Sequence, residues 1–485
     1  MRHPDTYHLR VKSIAAVRLA GLCAAAGLAG CAAPVAVTLD RSTPAHWTQA
    51  APAAAPGAAP VDMRAWWKPW GDARLDALVD EALAHNLDVA QAVARLRRQR
   101  LLSGTAASAY RPVVTAGTRT LQDISATDSY FQASIDMVWD LGLFGASESG
   151  ARVARAELLN AGARLQAARV ALVADVVHRY LDIRLAQRQR ALLSDMARLD
   201  ARAQQLAEVR RQQRLGSQDE LRQLQAQAQN GAAAAAQLAE TQARAAHGLA
   251  LLLGRDRPDP AWLQDDAGAA LPEIDGLALG ELPAQLLRSR PDIQIAEAQV
   301  EQSAAEAGLA RAALYPRFQL AGSLLYSYNL TQNFRTRSDN LPLLGPLIDV
   351  PLFDWGRRRA QADAGEEALQ GALLAYRQSV LEGVAEVEGS LAALSAQGAR
   401  AQALAGAQEP LRQRNAAQAA RQRLGLGSEW SALPDQRALL RAQGELATAR
   451  AARALAYVSL YKALGGAPLA PEAGAMDAAA AGGAS

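Results

Sequence analysis

Phe131-Gln132-Ala133-Ser134-Ile135-Asp136-Met137-Val138-Trp139-Asp140 alternates by twos. Phe131, Ala133, Ile135, Met137 and Trp139 share one apolar face. Gln132, Ser134, Asp136 and Asp140 share the other, with Val138 out of step. A period of two is the signature of a strand whose faces meet different surroundings. The pattern returns with opposite parity downstream: Phe318, Leu320, Gly322, Leu324, Tyr326, Tyr328 and Leu330 against Arg317, Gln319, Ser323, Ser327 and Asn329. Each run is about ten residues long, the length that crosses a bilayer as a tilted barrel strand. Partner strands are expected near Val113–Leu121 and Leu341–Val350, less cleanly patterned. Four strands cannot close a barrel, and open edges in lipid leave backbone polar groups unpaired. Other copies of the chain must complete the wall; three copies would give twelve strands. The alternative is a pair of soluble hairpins packed on helices.

Around these strands the chain repeats itself. Pro112 and Pro316 end the first helix of each half, 204 apart. Gly145 and Gly356 open a helical run of nearly seventy residues, 211 apart. Gly216 and Gly425 break that run, 209 apart, within the matching strings Arg214-Leu215-Gly216 and Arg423-Leu424-Gly425. Gly254 and Gly465 close each half, again 211 apart. Solenoid repeats have periods of about 20–50 residues, so this is a duplicated domain. A run of seventy spans roughly 100 Å as a helix. Heptads mark the runs: Leu158, Leu165 and Leu172; then Leu185, Leu192, Leu199 and Leu206; in the second half Leu373, Val380, Val387 and Leu394, then Leu404 and Leu411. Spacing by seven predicts supercoiling against partner helices. Two shorter helices end to end would flank each long one. Composition agrees: 50% hydrophobic but 5% aromatic, largely alanine, suits close-packed helices better than a thick core.

The N-terminus reads as an export signal. Arg10, Lys12 and Arg18 precede the apolar stretch Leu19–Leu28, too short to span a bilayer. Leu28-Ala29-Gly30-Cys31 resembles a bacterial lipobox, making Cys31 the lipidation site and new N-terminus; an ordinary signal peptide with an incidental cysteine is the alternative. Ala32, in place of Asp, implies outer-membrane sorting. Cys23 and Cys31 are the only cysteines, so the mature chain has no internal disulfide. The +3 net charge resides in the first thirty residues and leaves the remainder neutral, giving no reason to expect nucleic-acid binding. The expected divisions are a signal peptide at 1–30, an Ala/Pro-rich tether at 31–61, a first repeat at 62–254, a linker at 255–281, a second repeat at 282–466 and an Ala/Gly-rich tail at 467–485.

Chemistry finds little support. His3, His8, His46, His85, His178 and His247 form no pair at metal spacing. Gly425-Leu426-Gly427-Ser428 lacks the lysine of a phosphate loop. No nucleophile sits beside a base. The expectation is no enzyme, no metal and no cofactor.

Several strings resemble the TolC-type outer-membrane efflux family in its NodT-like lipoprotein branch. They are Trp66-Trp67-Lys68 with Trp70-Gly71-Asp72 and Leu75, Asn86-Leu87-Asp88, Leu252-Leu253-Gly254, and Arg290-Pro291-Asp292-Ile293 with Ala296-Glu297. Pro351-Leu352-Phe353 with Gly356-Arg357, Tyr376, Glu386-Val387-Glu388 and Tyr461-Lys462-Ala463-Leu464-Gly465-Gly466 follow in family order. The resemblance implies a mainly α fold with membrane β: an internally duplicated coiled-coil α-barrel, plus four strands per chain completing a trimeric twelve-stranded outer-membrane barrel. It implies a passive exit duct for small molecules, with a periplasmic adaptor and an inner-membrane pump of the RND type as partners. A protein-secretion channel and a lipid-anchored coiled-coil scaffold without a pore are the alternatives. Leu215, Gly216, Ser217, Leu424, Gly425, Leu426, Gly427 and Ser428 become adaptor-docking tips, although glycine stops and serine caps account for them without a partner. Asp435 and Arg437 become gate candidates. Arg437 matches the family pattern; Pro434 stands where the acid usually does, and Asp435 lies about 100° round the helix. Plain solvated charges are the alternative for both.

Overall fold

In the computed structural model, residues 35–39, 47–48, 62–122, 128–266, 271–272, 284–331 and 339–469 are described. Cys31, the signal segment, most of the tether and nearly all of the tail lie outside them. The halves contribute matching elements, except that the first has an additional short helix at its start. The first holds α1 (Ala73–His85), α2 (Leu87–Thr105), β1 (Val113–Gln122), β2 (Ser129–Asp140), α3 (Ala146–Gln212) and α4 (Gln218–Leu252). The second holds α5 (Pro291–Ala312), β3 (Arg317–Asn329), β4 (Asp339–Asp349), α6 (Arg357–Arg423) and α7 (Glu429–Ala463). No helix among the described residues is long and apolar enough to cross a membrane.

The residues fall into two compact units. The first takes in 97–160 and 296–376 and holds the sheet. Its strand order is β1-β2-β3-β4, antiparallel throughout. The register explains the opposite parities. Ile135 pairs with Leu324 and Trp139 with Leu320; Ile135 pairs with Ala116, and Leu324 with Pro342. Odd residues of β2 thus share a face with even residues of the other three strands; that face is largely apolar on β2, β3 and β4 and mixed on β1, where Thr118 and Thr120 follow Val114 and Ala116. On the opposite face Ser134 and Ser323 donate to Asp136 at 2.7 and 2.6 Å, and Arg119 donates to Gln132 at 2.9 Å. β4 carries Leu343 and Leu347 there too, which is why its alternation is blurred.

Ladder direction follows from two bonds: Leu141 N–H to the Phe318 carbonyl, and Leu330 N–H to Ser129. Odd β2 residues therefore bond to even β3 residues, odd β3 residues bond to odd β4 residues, and even β4 residues present their backbone to the open edge. Pro342 and Pro346 are even. Their missing donors fall on that edge, where a strand tolerates proline.

The second unit takes in 41–96, 161–295 and 377–469 of the described residues. Its helices pack through the leucine stripe, with Leu165, Leu172, Leu192, Val387 and Leu394 buried. The tryptophan string is a clasp. Trp66 Nε1 donates to the Gly466 carbonyl at 3.1 Å, its ring stacks on Tyr461 at 5.5 Å, and the Tyr457 hydroxyl donates to the Trp66 carbonyl at 3.3 Å. Both start-of-helix motifs do one job. Asn86 Nδ2 donates to the Leu252 carbonyl at 3.0 Å while Asn86 Oδ1 caps α2 at Asp88 and Val89. Arg290, the equivalent position in the second half, donates to the Ala463 carbonyl and also pairs with Asp292 and Glu386 at 2.7 Å each. Each motif ties the start of one helix to the last carbonyls of another.

Candidate functional site: hairpin tips and the charges behind them

The tips lie between α3 and α4 and between α6 and α7, both in the second unit. Ser217 Oγ accepts from Glu220 N at 3.1 Å and Ser428 Oγ from Ser431 N at 3.2 Å, so each serine caps the returning helix. Leu215 N–H reaches back five residues to the Arg210 carbonyl, and Leu426 N–H to Arg421. Such bonds close a helix through one left-handed residue. In the second tip that residue is Gly425, with φ +74°; in the first it is Arg214, with φ +57°.

This corrects the alignment drawn from the strings. Gly216 pairs with Gly427 and Arg214 with Gly425, so the tips are offset by 211 like the rest of the long helices. Gly216 keeps an ordinary φ. A Cβ there would lie 3.0 Å from Glu220 Oε2, the free end of a flexible side chain, and 3.3 Å from Arg210 Cβ, a tight fit that a small shift would relieve. Leu215, Leu424 and Leu426 are 64%, 74% and 69% exposed. Each tip therefore offers leucine side chains to solvent on a capped, rigid turn. The tips also touch: the Arg210 guanidinium sits 4.9 Å over the Trp430 ring, and Arg202 pairs bidentately with Glu429 at 2.5 and 2.6 Å.

Asp435 and Arg437 are not a pair. Asp435 binds Arg414 of α6 at 3.0 Å, and Arg437 binds Asp200 of α3. Two residues apart on a helix, they point about 200° from each other, and each laces α7 to a different long helix. Both are largely buried, as is Asp200, so the reading as solvated surface charges is displaced. Burial, with Arg441 beside it, pushes the Arg437 guanidinium below its usual pKa. Asp200, Arg437 and Arg441 line a cavity of about 700 Å³ together with Gln204, Gln223 and Asn230. Pro434 does not interrupt α7, which runs unbroken from Glu429. Asp200 and Arg414 were not singled out in the sequence. The one available signal was an acid beside Leu199, next to the buried heptad stripe.

A family model described as outer membrane efflux protein matches residues 78–255 and 282–466. Over 439 residues the chain is 30% identical to the pyoverdine export outer membrane protein OpmQ of Pseudomonas aeruginosa, covering 84% of this chain and 88% of that one. It is 29% identical over 340 residues to nodulation protein T of Rhizobium leguminosarum bv. viciae, covering 69% and 70%. The solved outer-membrane channel OprN superposes with a TM-score of 0.73 at 30% identity, over 90% of this chain and 100% of that one. Its duplicated long helices, its edge-open sheet and these matches place the chain in the outer membrane efflux protein family, as one of its outer-membrane channels.

Proposed function

We propose that three copies of this chain form a sealed duct, through which small toxic molecules leave after an inner-membrane pump of the RND type delivers them by way of a periplasmic adaptor. The observation that carries the reading is the sheet: four strands, two open edges and a face that is largely apolar on three of the strands. Such a surface is stable in lipid only when its edges are paired. Small molecules are favoured because a relative over most of the chain is named for pyoverdine export.

Cys31 carries the lipid in this reading. Val35, four residues on, has its carbonyl bonded by Arg152 at 3.2 Å, in the same unit as the sheet. That position supports an anchor close to the membrane. The exposed leucines of the tips form the adaptor-docking surface. The Asp200–Arg437 and Arg414–Asp435 pairs hold the helices behind the tips in the closed arrangement.

The test uses the full chain extracted in detergent. The expected result is a three-copy assembly that falls to monomer only on heating in SDS and gives discrete conductance steps in a planar lipid film. A water-soluble monomer that carries no current would overturn the proposal.

A further inference from the structure

Behind the tips, α3, α4 and α7 do not close on one another, and the sequence gives the reason. The residues facing the gap include Ala197 and Ala201 on α3, and Ala226, Ala228 and Gly231 on α4. None has a side chain beyond Cβ. Nothing lies within 4 Å of where a Gly231 Cβ would be. Small residues on both sides leave the cavity of about 700 Å³ between the helices. A second cavity of about 370 Å³ shares Gln227, Arg437 and Arg441 in its wall. Every lining residue of both belongs to the second unit.

The two spaces differ in character. The larger is polar, with the amides of Gln204, Gln223, Gln227 and Asn230 around the Asp200 carboxylate. The smaller is apolar, walled by Leu199, Leu224, Leu433, Pro434 and the Trp430 indole. Both arginines stand in both walls. The duplication explains their placing. α4 and α7 begin 211 residues apart, so Ala226 corresponds to Arg437 and Asn230 to Arg441. Equivalent positions of the two halves therefore line the same cavity, and of these only the second half's carry charge. The larger cavity holds two guanidiniums and one carboxylate. Asp200 takes Arg437. Arg441 is exposed and has no ion-pair partner among the described residues. An uncompensated guanidinium beside an ion pair is a place for a second anion, which arginine can grip with two parallel hydrogen bonds.

We propose that the two cavities form one site for a small amphipathic organic anion, its flat apolar body against Trp430 and its carboxylate or sulfonate between Arg441 and Arg437, where it displaces Asp200 and releases α7 from α3. The proposal rests on reading Asp200–Arg437 as a closing tie and adds the ligand that undoes it. The volumes fall within the roughly 300–1,000 Å³ usual for small-molecule sites. An incoming anion gains two cations where Asp200 holds one. Displacement also couples binding to opening. Asp200 is buried, and a buried carboxylate without its cation is costly. It is relieved only when α3 and α7 part and water reaches it. The ligand then binds the parted state better and shifts the equilibrium by that preference and no more. A neutral molecule of the same shape lacks the charge to compete for Arg437.

The test uses the full chain in detergent, with naphthalene-2-sulfonate as probe and naphthalene-2-sulfonamide as its neutral counterpart. Calorimetry, corrected for partition into detergent alone, should find one saturable sulfonate site per chain, with the sulfonamide bound about tenfold more weakly. Arg441→Gln should weaken the sulfonate about tenfold, and Asp200→Asn, which removes the competitor, should tighten it about tenfold. A purely structural role for these residues would not move affinity in opposite directions. Lack of saturable binding, equal binding of the two probes, or an Arg441→Gln variant that binds like the parent would overturn the site. In a planar lipid film the sulfonate alone should raise the conductance of the parent chain about twofold or more. Saturable binding without that rise would overturn the displacement of Asp200. A chain that carries no current with or without probe fails as a duct, and the calorimetry still decides the site.

Discussion

Arg214 occupies a left-handed conformation that its counterpart Gly425 adopts without a Cβ. For a residue with a side chain this costs about 1–2 kcal/mol, partly offset by the entropy a glycine would lose on folding. Arg214→Gly should thus stabilise the first tip by up to about 1 kcal/mol. Slower amide exchange over residues 213–217 would register it, and faster exchange would contradict it. Arg437 presents the opposite case. Its removal leaves the Asp200 carboxylate buried without its cation, which costs about 3–5 kcal/mol. Arg437→Ser should lower the thermal midpoint and raise single-channel conductance, because α7 is freed from α3; unchanged conductance would take Arg437 out of the gate. The serine caps were legible in sequence because capping is local, set by a hydroxyl three residues from the amide it accepts. The partners of Asp435 and Arg437 were not, because Arg414 and Asp200 lie on other helices and pair only once the helices have packed.

Among the elements, the four strands and the paired long helices were the most legible. β2 and β3 announce themselves by an alternation broken only at Val138, Ala321 and Leu325. The partner strands, expected near Val113–Leu121 and Leu341–Val350, run Val113–Gln122 and Asp339–Asp349. Alternation was obscured in β4 because leucines occupy both of its faces, and in β1 because threonines serve either. The tip offset was misread for a physical reason. A glycine in a matched string looks like the left-handed residue, but in the first tip that conformation falls two residues earlier, on Arg214. At this scale Pro434 makes a prediction. It sits six residues into α7 and leaves the Trp430 carbonyl without its usual helical donor. Pro434→Ala should restore that bond and stabilise the start of α7 by up to about 3 kcal/mol, seen as slower exchange over residues 431–438. If exchange there does not slow, the proline is not straining this turn.

For the molecule as a whole, the strand count was the decisive quantity. Four strands per chain imply partners before any partner is seen, since backbone groups cannot be left open in hydrocarbon. The anchor belongs at this scale too. Cys31→Ser should abolish incorporation of radiolabelled palmitate while leaving the sheet and helices able to assemble; labelling that persists would refute the anchor. The two prolines on the rim of β4 add a consequence for the journey of the chain. A newly exported polypeptide crosses the periplasm with that rim bare, and an unbroken row of amides there would recruit any passing extended chain. With Pro342 and Pro346 interrupting the row, indiscriminate zippering is discouraged until a sibling arrives, and the finished wall keeps gaps in its lacing where the prolines stand. In the proposed three-copy duct, force or denaturant should then part the ring between siblings before it splits any one of them.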